Sequence, residues 1–131
     1  MDDIHKYVLL VEDDFETAEK FSRILRESQY RVEIAYGSTV AIHKMKTETP
    51  DVVLLDIMMP DISGLEVLRF MRRDPVLAQV PVIIISAKTQ AEDIELGLET
   101  GAMAYFPKPV SLDDLRAAVA EALGGPKEAA E

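Results

Sequence analysis

The sequence predicts an α/β fold in which a parallel sheet of five strands carries helices on both faces. Three short runs are β-branched or aliphatic at nearly every position, which is typical of strands buried on both faces of a parallel sheet. The segments between them have apolar residues three or four positions apart, as amphipathic helices do. Because strands alternate with helices, right-handed crossovers should build a doubly wound, three-layer sandwich.

The strands differ in how apolar they are. Residues 7–11, 52–55 and 82–85 are apolar throughout and should be the central strands. Residues 31–35 alternate polar with apolar side chains, so this strand should lie nearer an edge. Residues 102–106 have a weaker pattern and complete the sheet as its fifth strand.

Two of the five predicted helices have a clear apolar stripe. The stripe residues are Phe15, Ala18, Phe21 and Leu25 in the first helix, and Leu65, Leu68 and Met71 in the third. The second helix, at about 38–48, and the fourth, at about 89–100, are less sharply patterned. In the fourth, Ala91, Ile94 and Leu98 keep the helical period.

Local signals mark several helix ends. Ser63 with Glu66 has the spacing of a capping box at the start of the third helix, and Ser111 with Asp114 repeats it at the start of the fifth. The Gly-Gly-Pro of residues 124–126 is a stop signal. We therefore expect a single domain over 1–125 and a short flexible tail over 126–131.

Composition excludes several classes of function. The 14 basic and 24 acidic residues give a net charge of −10, which argues against binding to nucleic acid or an anionic membrane by this domain. No cysteine is present, so thiolate metal sites and cysteine nucleophiles are excluded. No run approaches the roughly 18 apolar residues that span a bilayer. We expect a cytoplasmic protein whose partner has a basic or apolar docking face.

Polar residues follow four of the predicted strands, and the carboxyl ends of parallel strands meet at one edge of the sheet. These residues are Glu12, Asp13 and Asp14 after the first strand, Asp56 after the third, Ser86 after the fourth and Lys108 after the fifth. Taken singly, Asp13, Asp14 or Ser86 would be a helix N-cap and Lys108 a solvated charge. Taken together, they predict a site.

A cluster of carboxylates needs a cation, because each close pair repels by up to about 4 kcal/mol at an effective dielectric constant near 20. Hard oxygen ligands that leave room for water and phosphate suit Mg²⁺. Asp56 would then be a nucleophile toward phosphorus, since an ionised carboxylate needs no general base. Lys108 and Ser86 would supply donors to the oxygens of the transferred group.

The segments VLLVEDD, VVLLDIMMPDISG, IIISA and FPKP, taken in this order, resemble the receiver domain of two-component response regulators. The resemblance implies a flavodoxin-like sheet in the order 2-1-3-4-5. It also implies that Asp56 is the phosphoacceptor and that Mg²⁺, with Mn²⁺ as an alternative, is bound by Glu12, Asp13, Asp56 and the backbone carbonyl of Met58.

The resemblance further implies a conformational switch. Ser86 and Lys108 would bind the phosphoryl oxygens, and Tyr105 would be the aromatic residue that turns inward when Ser86 moves. Alternatively, Tyr105 is an edge-strand aromatic packed on the last helix. A cis bond between Lys108 and Pro109 is implied as well. Asp14 is interpreted as an N-cap, and Asp61 is assigned to the loop after Pro60.

The implied function is that of a signalling switch rather than a turnover enzyme. A histidine kinase, a phosphotransfer protein or a small phosphodonor would phosphorylate Asp56, giving an aspartyl phosphate. The surface formed by the fourth helix, fifth strand and fifth helix would then change shape and bind a downstream protein, an effector domain or a second copy of the chain. The sequence identifies neither the kinase nor the output partner.

Two other classes remain open at this stage. A haloacid-dehalogenase-like phosphohydrolase also uses an aspartate after an apolar strand, but it needs a second acid two residues later, where this chain has Met58. A phosphorylation-independent binding module with the receiver fold would need none of the chemistry. Phosphodonor labelling distinguishes these classes.

Overall fold

The computed structural model describes residues 5–124, which form one five-stranded parallel sheet. The strands are β1 (Tyr7–Val11), β2 (Arg31–Ala35), β3 (Val52–Leu55), β4 (Val82–Ser86) and β5 (Ala104–Pro107). Their order is β2-β1-β3-β4-β5, and every neighbouring pair is parallel. This order confirms the doubly wound prediction and makes β2 and β5 the edges.

Helices connect the strands and cover both faces of the sheet. They are α1 (Phe15–Glu27), α2 (Ser38–Thr47), α3 (Gly64–Arg73), α4 (Ala91–Thr100) and α5 (Leu112–Ala122), with a short 3₁₀ turn at Leu77–Gln79. Within the described residues, no helix is long and apolar enough to cross a membrane.

The sheet separates two apolar clusters, as expected when strands are buried on both faces. Along β1, Val8 and Leu10 point to the cluster that includes α1 and α5, whereas Leu9 and Val11 point to the cluster that includes α2 and α3. Each fully buried aliphatic side chain stabilises the fold by about 1.5–3 kcal/mol. Both clusters fix β1 and β3 side by side, and this pairing aligns the residues that follow them.

The fifth strand begins later than the sequence predicts. The sequence predicts a strand over 102–106, whereas β5 runs from Ala104 to Pro107. Gly101 ends α4 with a φ of 127°, and the chain uses Ala102 and Met103 to return to the sheet. Pro107 is the last residue of this edge strand, where a missing N–H donor is tolerated.

The apolar stripe of α1 is shorter than predicted. Ala18, Phe21 and Leu25 are buried, but Phe15 is 62% exposed. Phe15 is the first residue of the helix, and its ring stacks on Tyr36 with centroids 5.8 Å apart. The first residue of α1 lies beyond the part of the sheet on which the helix packs. Phe15 therefore keeps the helical spacing of the apolar residues but is not buried.

The helical period of Ala91, Ile94 and Leu98 in α4 does not correspond to a buried face. Ala91 and Leu98 are exposed, and Ile94 is half-buried. The buried residue of α4 is Gly97, which faces the ring of Tyr105 on β5. Since β5 is an edge strand, it gives α4 a narrow contact surface that one small residue fills.

In three helices, the side chain of the N-cap residue itself caps the first turn. Asp14 accepts from the Thr17 N–H at 2.9 Å at the start of α1, as predicted. Ser111 accepts from the Asp114 N–H at 3.0 Å at the start of α5. At the start of α3 the predicted capping box is only half formed. Ser63 does cap the helix, but the Glu66 side chain pairs with Arg69.

Candidate functional site

Three carboxylates from two neighbouring strand ends meet at one edge of the sheet. The Asp56 N–H donates to the carbonyl of Val11 at 3.1 Å, so the end of β3 lies beside the end of β1. One carboxylate oxygen each from Glu12, Asp13 and Asp56 lies within 4.8 Å of the others. The structure therefore brings together the acids that the sequence places at separate strand ends.

Lys108 reaches this acidic cluster from the end of β5. Its Nζ lies 3.0 Å from Glu12 Oε1 and 3.0 Å from Asp56 Oδ2. Burial alone would lower the pKa of Lys108, but the hydrogen bonds to Glu12 and Asp56 outweigh that effect and raise it. Lys108 therefore keeps its positive charge at neutral pH. The bond between Lys108 and Pro109 is cis, as the resemblance implies.

The two paired acids are withdrawn from solvent, whereas Asp13 is exposed. Glu12 is 3% exposed and Asp56 is 5% exposed. Burial raises the pKa of Glu12, opposed by hydrogen bonds from the Asp14 N–H and from Lys108. Three carboxylates face one ammonium, so the pocket has an excess of two negative charges when all are ionised. A pocket with oxygen donors and excess negative charge fits a divalent cation such as Mg²⁺.

The loop after β3 is held closely against Asp56. The Met58 N–H donates to Asp56 Oδ1 at 3.1 Å, and the Gly64 N–H donates to the carbonyl of Ile57 at 2.8 Å. A Cβ at Gly64 would lie 2.1 Å from the carbonyl oxygen of Asp56. Only glycine therefore fits where the loop passes into α3.

Ser86 and Tyr105 are linked through one residue of the loop after β4. Ser86 is fully buried, and its Oγ accepts from the Lys88 N–H at 3.1 Å. The Tyr105 hydroxyl donates to the carbonyl of Lys88 at 2.6 Å. The ring of Tyr105 packs on Gly97 of α4, which corrects the alternative that placed it against the last helix.

Asp61 makes contacts that the sequence reasoning missed. It lies in the loop after Pro60, as predicted. There its Oδ1 accepts from the Ser38 N–H at 3.1 Å, and its Oδ2 accepts from the Thr39 N–H at 3.0 Å. These bonds hold the pKa of Asp61 well below its usual range. The sequence gives only an indirect signal of these contacts. Gly37 precedes α2 and has no side chain that could cap the helix, so the cap has to come from another part of the chain.

Comparison with known proteins agrees with this geometry. A family model for the response regulator receiver domain matches residues 8–120. The DNA-binding response regulator MtrA of Mycobacterium bovis is 36% identical over 119 residues, which cover 91% of this chain and 51% of MtrA. Response regulator MprA of M. bovis is 34% identical over 126 residues, covering 95% of this chain and 54% of MprA.

Solved structures show the same fold. A CheY-like response regulator receiver domain protein from Methanospirillum hungatei superimposes with a TM-score of 0.87 at 29% identity, covering 95% of this chain and 98% of that one. The receiver domain of the Francisella response regulator 1452 gives a TM-score of 0.86 at 29% identity, covering 92% and 98%. This chain spans about half the length of the relatives MtrA and MprA. It belongs to the receiver-domain family of two-component response regulators.

Proposed function

We propose that Asp56 is the phosphoacceptor of this receiver domain. The observation that supports this best is the position of its carboxylate, which is buried between the acids after β1 and the ammonium of Lys108. The proposed donor is the phosphohistidine of a histidine kinase or phosphotransfer protein, or a small phosphodonor such as acetyl phosphate. Each chain would hold one phosphoryl group as a switch rather than turn over substrate.

The residues of the pocket fit a Mg²⁺ ion, with Mn²⁺ as an alternative. Glu12, Asp13, Asp56 and the backbone carbonyl of Met58 would hold it. Oxygen donors and an excess of negative charge support this assignment. When bound, the ion would neutralise charge on the acids and on the incoming phosphoryl oxygens.

In the transfer, an oxygen of Asp56 forms a new bond to phosphorus while the bond from phosphorus to the donor breaks. With a phosphohistidine donor, the broken bond is P–N, and the imidazole leaves with the electron pair and takes up a proton. Lys108 donates to Asp56 before the reaction at 3.0 Å, and it would donate to the phosphoryl group afterwards. Ser86 would supply a hydroxyl to a second phosphoryl oxygen.

Phosphorylation would act on the output surface through Ser86 and the loop after β4. Drawing Ser86 toward the phosphoryl group would move Lys88, whose N–H donates to Ser86 and whose carbonyl accepts from Tyr105. A shift of Tyr105 changes the surface formed by α4, β5 and α5. This is a population shift that the phosphoryl group biases by its contacts. The partner at this surface would be a downstream protein, an effector domain or a second copy of the chain.

We assign this function to residues 1–125, and residues 126–131 lie outside the described part of the structure. Although the relative MtrA is named as DNA-binding, we propose that the domain itself binds no nucleic acid, because its net charge is −10. Family membership supports a cytoplasmic location.

The proposal is tested by incubating the protein with acetyl phosphate and Mg²⁺ and measuring its intact mass. We expect the addition of one phosphoryl group, mapped to Asp56 by peptide analysis and lost in Asp56→Asn or in excess chelator. Asp113→Asn is the matched control, because Asp113 is an exposed acid on α5 whose carboxylate pairs with Arg116 and not with a pocket residue. Labelling of Asp56→Asn to the same extent as the native protein would refute the assignment.

The labelling experiment, together with an assay for phosphate release, separates the other two classes. Continued release of phosphate from an external phosphomonoester, at many turnovers per chain, would favour a phosphohydrolase. A complete lack of Mg²⁺-dependent labelling, with binding to a partner retained, would favour a phosphorylation-independent module.

A further inference from the structure

We propose that Asp61 is a positioning residue for the cation pocket. By capping α2, it would fix the loop over residues 58–63, which carries the carbonyl of Met58. The proposal rests on the proposed function, because it assumes that this carbonyl helps to hold Mg²⁺.

The contacts of Asp61 join two segments that are far apart in sequence. Oδ1 accepts from the Ser38 N–H at 3.1 Å, while Oδ2 accepts from both the Thr39 N–H and the Thr39 hydroxyl at 3.0 Å. Ser38, which is fully buried, returns a hydrogen bond from its hydroxyl to the carbonyl of Ile62. Four hydrogen bonds therefore tie the tip of the loop to the first turn of α2.

The start of α2 needs a cap from elsewhere in the chain. Its N-cap residue, Gly37, has no side chain, and its first turn has no acidic residue. The free N–H groups and the positive end of the helix dipole favour an anion at this place. Asp61 supplies that anion from 23 residues away. Both the loop and the helix start therefore depend on the same carboxylate.

The loop has a second set of anchors at its base. The Met58 N–H bonds to Asp56, and the Gly64 N–H bonds to the carbonyl of Ile57. Asp61 lies between these anchors, so it limits how far the backbone from Met58 onward can move. A metal ligand on a fixed loop costs less ordering entropy on binding than one on a mobile loop.

This arrangement predicts thermodynamic coupling in both directions. If Asp61 preorganises the Met58 carbonyl, then bound Mg²⁺ must in turn stabilise the contact between Asp61 and α2. The amide hydrogens of Ser38 and Thr39 would exchange more slowly in Mg²⁺, although neither residue belongs to the pocket. If Asp61 contributed only to the stability of the fold, Mg²⁺ would not change the exchange rates of these two amides.

The test compares the native protein with Asp61→Ala, Asp61→Asn and Asp74→Ala. Asp74 is a matched control, because its Oδ2 also accepts two backbone N–H groups, from Val76 at 3.0 Å and from Leu77 at 2.9 Å. It follows α3, whereas the pocket lies at the carboxyl ends of the strands. Mg²⁺ affinity is measured by calorimetric titration, and amide exchange is measured by NMR with and without Mg²⁺.

We expect Asp61→Ala to weaken Mg²⁺ binding by about two- to tenfold, the factor that corresponds to a typical helix cap. Asp61→Asn should recover part of this loss, since an amide oxygen also caps. Asp74→Ala should bind Mg²⁺ as the native protein does. In the native protein, Mg²⁺ should slow the exchange of Ser38 and Thr39, and in Asp61→Ala that effect should disappear.

Two results would overturn the proposal, and they are distinguishable. If the native protein binds Mg²⁺ and is labelled on Asp56, but Asp61→Ala binds Mg²⁺ equally well, only the positioning role fails. If the native protein binds no Mg²⁺ and is not labelled, the proposed function fails and the positioning role fails with it.

Discussion

Replacing Lys108 with methionine tests the electrostatics of the pocket directly. Methionine keeps most of the aliphatic length of lysine, so packing along the stem is largely retained while the charge is lost. The ammonium makes two contacts of 3.0 Å, to Glu12 and to Asp56. Its removal leaves two carboxylates that are only 3% and 5% exposed without their shared cation.

The loss of unfolding free energy in Lys108→Met has an upper limit, which is the cost of protonating one of the two carboxylates. Glu12 already has a raised pKa because it is buried, so it is the group that should take up a proton in the variant. Protonating a glutamate of ordinary pKa, about 4.3, at pH 7 costs about 3.7 kcal/mol, since each unit costs about 1.4 kcal/mol. The side chain of Lys108 is 26% exposed, and solvent screens part of its interaction. We therefore expect a loss of about 2–3.5 kcal/mol at pH 7 without Mg²⁺.

The loss should depend on pH with a definite sign. In the variant, the folded state holds a proton on Glu12 more tightly than the unfolded state does. A carboxyl with a raised pKa favours folding at low pH and opposes it increasingly as pH rises. The deficit relative to the native protein should thus fall to about 1 kcal/mol or less at pH 5. An effect caused by lost packing would be the same at both pH values.

Urea unfolding followed by circular dichroism, at pH 5 and pH 7, measures these free energies. With Mg²⁺ present at pH 7, the variant should regain more stability than the native protein gains, because no ammonium competes for the carboxylates. A tenfold gain in Mg²⁺ affinity would add about 1.4 kcal/mol. Lys20→Met is the control, since Lys20 is an exposed lysine on α1. A Lys108→Met deficit below about 1 kcal/mol at pH 7, or one independent of pH, would refute the reasoning.

Three further substitutions test the packing around the site. Gly64→Ala should cost more than about 3 kcal/mol in urea unfolding, because its Cβ would lie 2.1 Å from the Asp56 carbonyl oxygen; native-like stability would contradict this. Gly97→Ala should displace the Tyr105 ring, which lies 2.9 Å from the added Cβ, and unchanged ring resonances in NMR spectra would show otherwise. Ser111→Ala should remove the cap of α5 and cost about 1 kcal/mol, with unchanged Mg²⁺ affinity as the internal check.

The identity of the strands, and which of them are central, could be predicted because those signals are local, whereas the order 2-1-3-4-5 was implied by the resemblance to receiver domains. Runs that are apolar on both faces have one favourable place, the middle of a covered parallel sheet, and the structure puts β1, β3 and β4 there. The residues after those strands then had to meet at one edge. The convergence of Glu12, Asp13 and Asp56 thus followed from the parallel arrangement of the strands. The sheet confirms this arrangement, because β1 and β3 are parallel neighbours.

The errors arose where tertiary contacts override local pattern. Phe15 keeps the period of α1 but has no sheet beneath it, so periodicity alone overestimated its burial. The predicted start of β5 is two residues too early, because the sequence does not reveal how many residues the turn after Gly101 needs. Asp61 was placed correctly in a loop, but its partner helix starts 23 residues earlier, and no short-range spacing indicates that contact.

The separation of the two ends of the sheet has a practical consequence for spectroscopy. All the groups of the pocket follow the carboxyl ends of strands, whereas Thr49 is an exposed residue shortly before β3, at the amino end. The chain contains no cysteine, so Thr49→Cys would create a single thiol for a fluorescent or spin label. Such a label would report tumbling and complex formation while leaving the groups of the pocket unmodified.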